Sequence, residues 1–211
     1  ASESELLGPG DRKGAYRASA EEMRSCWIEN LGNGKFSFHP LPVEAQLAPL
    51  FATKLLDINA DGTLDILGVG NLFSTETTHG RYDASKGICL LNDGTGNFRS
   101  LEPEESDFYV AGDGKALVGL QLSDNTQLLI ASQNSDSLKS FRFDPPLGMK
   151  KIPLEAADAY VLVRNDKKQI KTEFYYGEGY LSQSSRFLNA YAGDTLQIFD
   201  FQGNIRTVYV E

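Results

Sequence analysis

Tight-turn dipeptides separate short apolar segments along most of this 211-residue chain. Each combines glycine with asparagine or aspartate, at Asn33-Gly34, Asp61-Gly62, Asp93-Gly94, Asp113-Gly114 and Gly203-Asn204. Such pairs supply the positive φ angles that short hairpin turns need, and several of the segments between them alternate like half-buried strands. The pattern predicts an all-β protein. It allows one short helix, over residues 18–25, with Ser19 as N-cap and Glu22 three residues later.

Two stretches of the chain repeat each other. Residues 26–36 align with residues 88–98, so that Asn30 matches Asn92 and Phe36 matches Phe98. Further along, residues 57–71 align more weakly with residues 120–134. Each copy predicts one four-stranded unit, as in the blades of a β-propeller or a related repeat array. Because two units are too few to close a ring, the sequence predicts a partial β-propeller of about two blades.

The repeat ends near a proline-containing break at residues 144–148. Beyond residue 152 the repeat is no longer detectable, and the alternation there predicts four or five further strands. We therefore divide the chain into an N-terminal segment (residues 1–25), a repeat region (26–144) and a small C-terminal β domain (145–211).

Residues 57–65 carry the sharpest chemical signal. Oxygen-bearing side chains occupy positions 1, 3, 5 and 9 of this stretch, namely Asp57, Asn59, Asp61 and Asp65. Gly62 permits a sharp turn, and the backbone carbonyl of Thr63 adds a further oxygen. Six to eight oxygen ligands suit Ca²⁺, although the last acid of an EF-hand comes at position 12 rather than 9. The stretch predicts a Ca²⁺ loop between two strands; the alternative is a solvated acidic hairpin tip.

Residues 57–67 resemble the FG-GAP/VCBS repeat of integrin-like β-propellers. Residues 27–36 and 90–98 resemble the strand and turn between blades of the same family. In the last third, residues 179–186 (Gly-Tyr-Leu-Ser-Gln-Ser-Ser-Arg) resemble the core of the ASPIC/UnbV domain. That domain commonly follows FG-GAP repeats in large extracellular proteins, including the cartilage acidic protein family and bacterial surface proteins. The resemblance implies a structural Ca²⁺ and a secreted, periplasmic or cell-surface location.

The chain also departs from these families. In the second repeat, residues 120–128 place leucine at three of the four ligand positions and keep only Asp124. We therefore expect one metal site, in the first repeat. After Arg186, the sequence Phe187-Leu188-Asn189 begins a stretch that replaces the usual histidine-containing continuation of the ASPIC/UnbV core.

Charge argues against nucleic-acid binding, and hydropathy excludes a membrane-spanning helix. The chain has 29 acidic and 20 basic residues and a net charge of −9, which disfavours binding to nucleic acid phosphates. It has no apolar run of about 18 residues, the length that a membrane-spanning helix needs. Residues 1–5 have no features of a signal peptide, which indicates that a signal has been removed or that the sequence is a piece of a longer protein.

No arrangement typical of a catalytic site stands out in the sequence. His39 and His79 lie far apart, and the acidic cluster at residues 102–107 is interrupted by proline and expected to be solvated. Six aromatic residues of the C-terminal part would stack on sugars if exposed, but their strand spacing favours the core: Phe174, Tyr175, Tyr176, Tyr180, Phe187 and Tyr191.

The sequence therefore predicts a non-catalytic, calcium-stabilised binding or adhesion module. Its partner would be a protein or a glycan. An open propeller would also leave unpaired strand edges, which favour a homodimer. The alternative is an accessory domain of a glycan-active enzyme.

Overall fold

The computed structural model describes residues 5, 8, 10, 11, 13–16, 18–122, 126–144, 146–165 and 169–211. Asp124 and Pro145 lie outside the described residues. The fold is all-β, as predicted. Among the elements whose bounds lie within the described residues are a 3₁₀ turn (Val43–Gln46) and a short helix, α1 (Pro103–Ser106). Within the described residues the strands are β1 (Cys26–Gly32), β2 (Lys35–Pro40), β3 (Leu50–Leu56), β4 (Asp65–Gly70), β5 (Ile88–Asn92), β6 (Phe98–Leu101), β7 (Gly114–Gln121), β8 (Gln127–Gln133), β9 (Lys139–Phe143), β10 (Met149–Pro153), β11 (Asp158–Arg164), β12 (Gln169–Glu173), β13 (Phe187–Tyr191), β14 (Thr195–Asp200) and β15 (Ile205–Tyr209).

The strands form five antiparallel sheets. Strands β1 and β2 make an isolated hairpin, β3-β4-β5-β6 make a four-stranded meander (the first sheet), and β7-β8-β9 make a three-stranded meander (the second sheet). In the C-terminal region (residues 146–211), β10 pairs with β13, and the order β12-β11-β14-β15 makes the C-terminal sheet. None of the sheets of the described chain closes into a barrel or ring.

The prediction that each sequence repeat forms its own four-stranded unit is wrong. The first repeat contains β1 to β4, but β1 and β2 form a separate sheet, and β3 and β4 join β5 and β6 from the second repeat. The local equivalence of the repeats still holds. In each repeat the asparagine Oδ1 accepts a hydrogen bond from the backbone N–H of the residue two positions later. Gly32 donates to Asn30 at 2.9 Å, and Gly94 donates to Asn92 at 3.0 Å.

The helix predicted over residues 18–25 does not form, and this stretch is irregular. The carboxylate of Glu22 accepts the backbone N–H of Arg24 at 2.9 Å and also binds its guanidinium group. The backbone N–H of Ser25 donates to the side chain of Gln46 at 2.7 Å. These contacts replace the capping interaction on which the predicted helix depended.

Three apolar clusters make up the buried core of the described residues. The largest lies between the first and second sheets and includes Val69, Leu117 and Leu129. The second lies on the other face of the first sheet, around Leu90. The third belongs to the C-terminal region and includes members of both of its sheets.

A loop of the C-terminal region covers part of one free strand edge. On the side of β7 away from β8, the backbone N–H of Gly119 donates to Ser184 Oγ at 3.1 Å, and its carbonyl accepts the N–H of Ser185 at 2.9 Å. The N–H of Gln121 donates to Ser185 Oγ at 3.1 Å. Part of the edge that an open propeller would expose is therefore covered within the chain.

Across the described ranges, no helix combines the length and the apolar character needed to cross a lipid bilayer.

Candidate functional site

The predicted Ca²⁺ loop forms the tip of the hairpin between β3 and β4. Leu56, the last residue of β3, pairs with Asp65, the first residue of β4. Between them the backbone turns sharply, with φ of 64° at Ala60 and 84° at Gly62. A φ of this sign favours glycine, so Gly62 is a conformational requirement of the loop. We refer to residues 57–65 as loop 57–65.

Asp65 anchors the base of loop 57–65. Its side chain is fully buried; one carboxylate oxygen accepts the backbone N–H of Ile58 at 2.8 Å, and the other accepts that of Asn92 at 2.8 Å. Burial raises the pKa of Asp65 above its usual value, and the nearby charges of Asp61 and Asp57 add to the increase. Loop 57–65 therefore holds a buried carboxyl group whose charge is unfavourable where it lies.

Asp57 is the second buried acid of the loop, with 7% of its surface exposed. Its Oδ1 accepts the backbone N–H of Asp61 at 3.1 Å, and its Oδ2 accepts that of Gly62 at 3.0 Å. The hydroxyl of Tyr191, on β13, donates to the same Oδ2 at 3.0 Å. The C-terminal region thus makes direct contact with a predicted Ca²⁺ ligand.

The other three predicted ligand residues occupy the tip of the loop. Asn59 and Asp61 are exposed, and the Nδ2 of Asn59 donates to Asp61 Oδ2 at 2.8 Å. Thr63 donates to Asp61 Oδ1 through its hydroxyl at 2.5 Å and through its backbone N–H at 2.8 Å. These bonds, with the hydroxyl bond the strongest, lower the pKa of Asp61.

The structure brings the five predicted ligand residues into one loop, but their side chains bind backbone amides and one another. Among the described residues, no group of three or more His, Cys, Asp or Glu side chains is arranged so that it could hold a metal ion. The donor set still fits Ca²⁺ in kind, because every ligand atom is oxygen. A carboxylate has about four acceptor positions. Because each oxygen of Asp65 accepts only one of the hydrogen bonds described above, acceptor positions remain for a cation.

No basic group neutralises the loop within the described chain. The ion pairs between described residues all involve acidic residues outside the loop. None of them includes Asp57, Asp61 or Asp65. Three carboxyl groups, two of them buried, therefore share one hairpin tip without an ion pair to any described residue.

The corresponding loop of the second sheet lies between β7 and β8. Leu122 closes it by donating its backbone N–H to the carbonyl of Thr126 at 2.9 Å. Asp124, the one acid that the sequence retains at a ligand position, lies outside the described residues.

A cleft of about 500 Å³ lies beside loop 57–65, between β3 and the C-terminal region. Leu55 and Leu64 line it on one side, and Ile170, Phe174 and Tyr175 line it on the other. Its size falls within the range of small-ligand pockets. Asp57 and Tyr191 both line the cleft, so the loop and the cleft share a wall.

The prediction that most of the six C-terminal aromatic residues lie in the core is wrong. Tyr175, Tyr176 and Tyr180 are 62%, 58% and 56% exposed. Phe174 packs against the C-terminal core, and Phe187 and Tyr191 are half-buried. The guanidinium group of Arg186 lies over the ring of Tyr176, 4.4 Å from its centre.

The residues considered for catalysis have structural contacts. His39 stacks on Trp27 with ring centres 4.2 Å apart and lies 3.1 Å from the carboxylate of Glu29. Glu102 and Glu105 form the capping box of α1. His79 is exposed, 3.9 Å from the carboxylate of Glu76.

Sequence reasoning missed the role of Tyr191. This residue lies 134 positions from Asp57, and no local pattern connects the two. The chain matches no protein-family model, no curated protein and no solved structure among those compared.

Proposed function

We propose that loop 57–65 binds one structural Ca²⁺ and that the chain is a non-catalytic, calcium-stabilised binding module. The observation that supports this proposal is the burial of Asp57 and Asp65 beside Asp61 with no basic partner among the described residues. Buried charges without a partner are costly, and a bound cation removes that cost.

The ion would be held by the side-chain oxygens of Asp57, Asn59, Asp61 and Asp65 and by the backbone carbonyl of Thr63. Ca²⁺ supplies positive charge that offsets the mutual repulsion of the three carboxylates. Binding to the folded state alone would stabilise it by about 2.7 kcal/mol when Ca²⁺ is in 100-fold excess over its Kd. Millimolar extracellular Ca²⁺ would be sufficient even for a modest site.

We further propose that the first and second sheets are two blades of an open, FG-GAP-like propeller, followed by an ASPIC/UnbV-like domain. The face-to-face packing of the two meanders around Val69 and Leu117 supports this arrangement. The module would belong to a larger secreted, periplasmic or cell-surface protein. Its partner, a protein or a glycan, would bind in the cleft beside loop 57–65.

Calorimetric titration of the chelator-treated chain with Ca²⁺ tests the metal site. We expect one site per chain and a melting temperature that rises by about 5–10 °C in excess Ca²⁺. Asp61→Ala should abolish both effects.

Asp93→Ala provides a matched control. Asp93 accepts the backbone N–H of Thr95 at 2.8 Å and its hydroxyl at 2.6 Å, as Asp61 does with Thr63, but in the turn between β5 and β6. This variant should bind Ca²⁺ like the parent chain. Equal heats of Ca²⁺ binding for the parent chain and Asp61→Ala would refute the site. So would a melting temperature that changes with neither Ca²⁺ nor chelator.

Of the two partner classes, a glycan is favoured by the exposed ring of Tyr175. This ring lines the cleft together with the planar polar side chains of Asn165, Glu173 and Gln183. A saccharide array probed with the Ca²⁺-loaded chain tests it. Tyr175→Ala should weaken any hit by about 10-fold, the scale of one lost aromatic contact, whereas Tyr209→Ala, which changes an exposed ring outside the cleft, should not. Equal loss in both variants would argue against the cleft.

A further inference from the structure

Loop 57–65 is in contact with two parts of the molecule at once. It connects two strands of the first sheet, yet the carboxylate of Asp57 accepts a hydrogen bond from the hydroxyl of Tyr191, on β13, at 3.0 Å. The backbone of Tyr191 is itself held, because its N–H donates to Asp194 Oδ2 at 2.8 Å. Tyr191 is therefore a fixed contact of the C-terminal region on the loop.

A second contact lies nearby on β3. The ammonium group of Lys54 is 2.5 Å from a carboxylate oxygen of Glu178 and donates to Ser184 Oγ at 2.9 Å. Ser184 also accepts the N–H of Gly119, so the same loop of the C-terminal region reaches the edge of β7.

Together these bonds form what we call the docking seam: Asp57 with Tyr191, Lys54 with Glu178 and Ser184, and the β7 edge at Gly119 and Gln121 with Ser184 and Ser185. The seam is polar. Among the described residues, the apolar cluster between the first two sheets ends at Phe143, and that of the C-terminal region begins at Ile152. Because no buried apolar cluster of described residues spans both parts, the described contacts that dock the C-terminal region are polar and respond to charge.

We propose that Tyr191 couples Ca²⁺ binding to docking: Ca²⁺ in loop 57–65 holds the C-terminal region on the first two sheets. This inference rests on the proposed Ca²⁺ site. Tyr191 is then a positioning residue for Asp57. The ion in turn controls the contact between the C-terminal region and the first two sheets.

The physical argument starts from the chemistry of the Tyr191 hydroxyl. A phenol donates a hydrogen bond to Asp57 without supplying positive charge, whereas a lysine or arginine in the same place would compete with the ion. The bond fixes the orientation of the carboxylate, and such outer contacts raise the affinity of ligand groups for metals. Docking thus prepares the loop for Ca²⁺.

Linkage makes the effect reciprocal. If the docked form binds Ca²⁺ more tightly, bound Ca²⁺ must favour the docked form by the same factor. In the docked arrangement Asp57 is buried beside Asp61 and Asp65, and the ion offsets the repulsion among the three carboxylates.

Amide hydrogen exchange by NMR on the intact chain tests the coupling. The backbone amides of Gly119, Gln121 and Ser185 report on docking, because each bonds across the seam. We expect Ca²⁺ to slow their exchange by about 10-fold, the scale expected for a coupled local opening.

Tyr191→Phe keeps the ring and removes only the hydroxyl. It should weaken Ca²⁺ binding by about 10-fold, as the loss of an outer contact does, and should largely remove the effect of Ca²⁺ on the three amides. Tyr160→Phe is the matched control, since Tyr160 lies in the same region but stacks on Phe199. It should behave like the parent chain.

The outcomes separate the two proposals. If the parent chain binds no Ca²⁺, the proposed site fails and the coupling fails with it. If the parent binds Ca²⁺ and Asp61→Ala does not, but Ca²⁺ leaves the three amides unchanged or Tyr191→Phe binds like the parent, the site stands and the coupling is overturned.

Discussion

The carboxylate of Asp65 accepts the backbone N–H of Asn92 at 2.8 Å, which fastens the first residue of β4 to the last residue of β5. The side chain of Asn92 completes the link, because its Nδ2 donates to the carbonyl of Leu64 at 3.2 Å. Loop 57–65 is therefore positioned by the neighbouring hairpin as well as by its own strands.

Replacing Asn92 should loosen this link. Asn92→Ala removes the bond to Leu64 and the acceptor for the N–H groups of Gly94 and Gly96. We expect the free energy of unfolding to fall by about 1–2 kcal/mol, measured by urea denaturation. Asn97→Ala, in the same turn, loses only exposed contacts and should cost under about 0.5 kcal/mol. Equal losses in both variants would contradict the role of Asn92.

Asn71 should be among the most sensitive polar residues of the first sheet. It is fully buried, and its Nδ2 lies within hydrogen-bond distance of the carbonyls of Ser85, Ala111 and Gly112. Asn71→Ala leaves buried carbonyls without a donor and should destabilise the fold by about 2–3 kcal/mol.

A second variant at this position separates the hydrogen bonds from the backbone conformation. Asn71 has a φ of 79°, which glycine adopts without strain and alanine does not. Asn71→Gly should therefore lose the same bonds but be about 1 kcal/mol more stable than Asn71→Ala. Denaturation of the two variants side by side measures the difference, and the opposite order would contradict this assignment.

The hairpins could be predicted from the sequence because a turn is a local event. Asn33-Gly34 and Asp93-Gly94 both mark observed turns, and residues 57–65 were placed correctly between two strands. The pairing of hairpins into sheets could not be predicted, because β4 bonds to β5 across an insertion that carries no local signal. The contact between Tyr191 and Asp57 was missed for the same reason. The helix predicted over residues 18–25 does not form. Glu22, the acid expected to help cap it, binds the guanidinium group of Arg24 instead.

Gly96 should tolerate no side chain because of a close approach by the first hairpin. A Cβ at this position would lie 2.6 Å from the ring of Trp27, and its φ is 87°. Gly34→Ala is the matched control, with a φ of 72° and open space around the added atom. Both variants share the backbone strain of about 1 kcal/mol, so Gly96→Ala should be destabilised further. The extra loss should disappear when Trp27 is also replaced by alanine, and calorimetric melting of the double variant checks this.

The ion pair between Lys54 and Glu178 should make the docking seam sensitive to acid. Burial tends to raise the pKa of Glu178, but the hydrogen bonds from Lys54 and Ser184 outweigh it, so the pKa lies below its ordinary value of 4.5. A lowered pKa in the folded state means that Glu178 stabilises the fold above pH 4.5, and that this contribution is lost as the pH falls through the folded-state pKa.

Since 43% of the Glu178 side chain is exposed, solvent screening limits the contribution to about 0.5 kcal/mol. We expect Glu178→Gln to be less stable than the parent chain near neutral pH, and the gap to close as the pH is lowered from 4.5 through the folded-state pKa of Glu178. Urea denaturation of both proteins across this range measures the gap, and a constant difference at every pH would show that Glu178 acts through packing rather than through its charge.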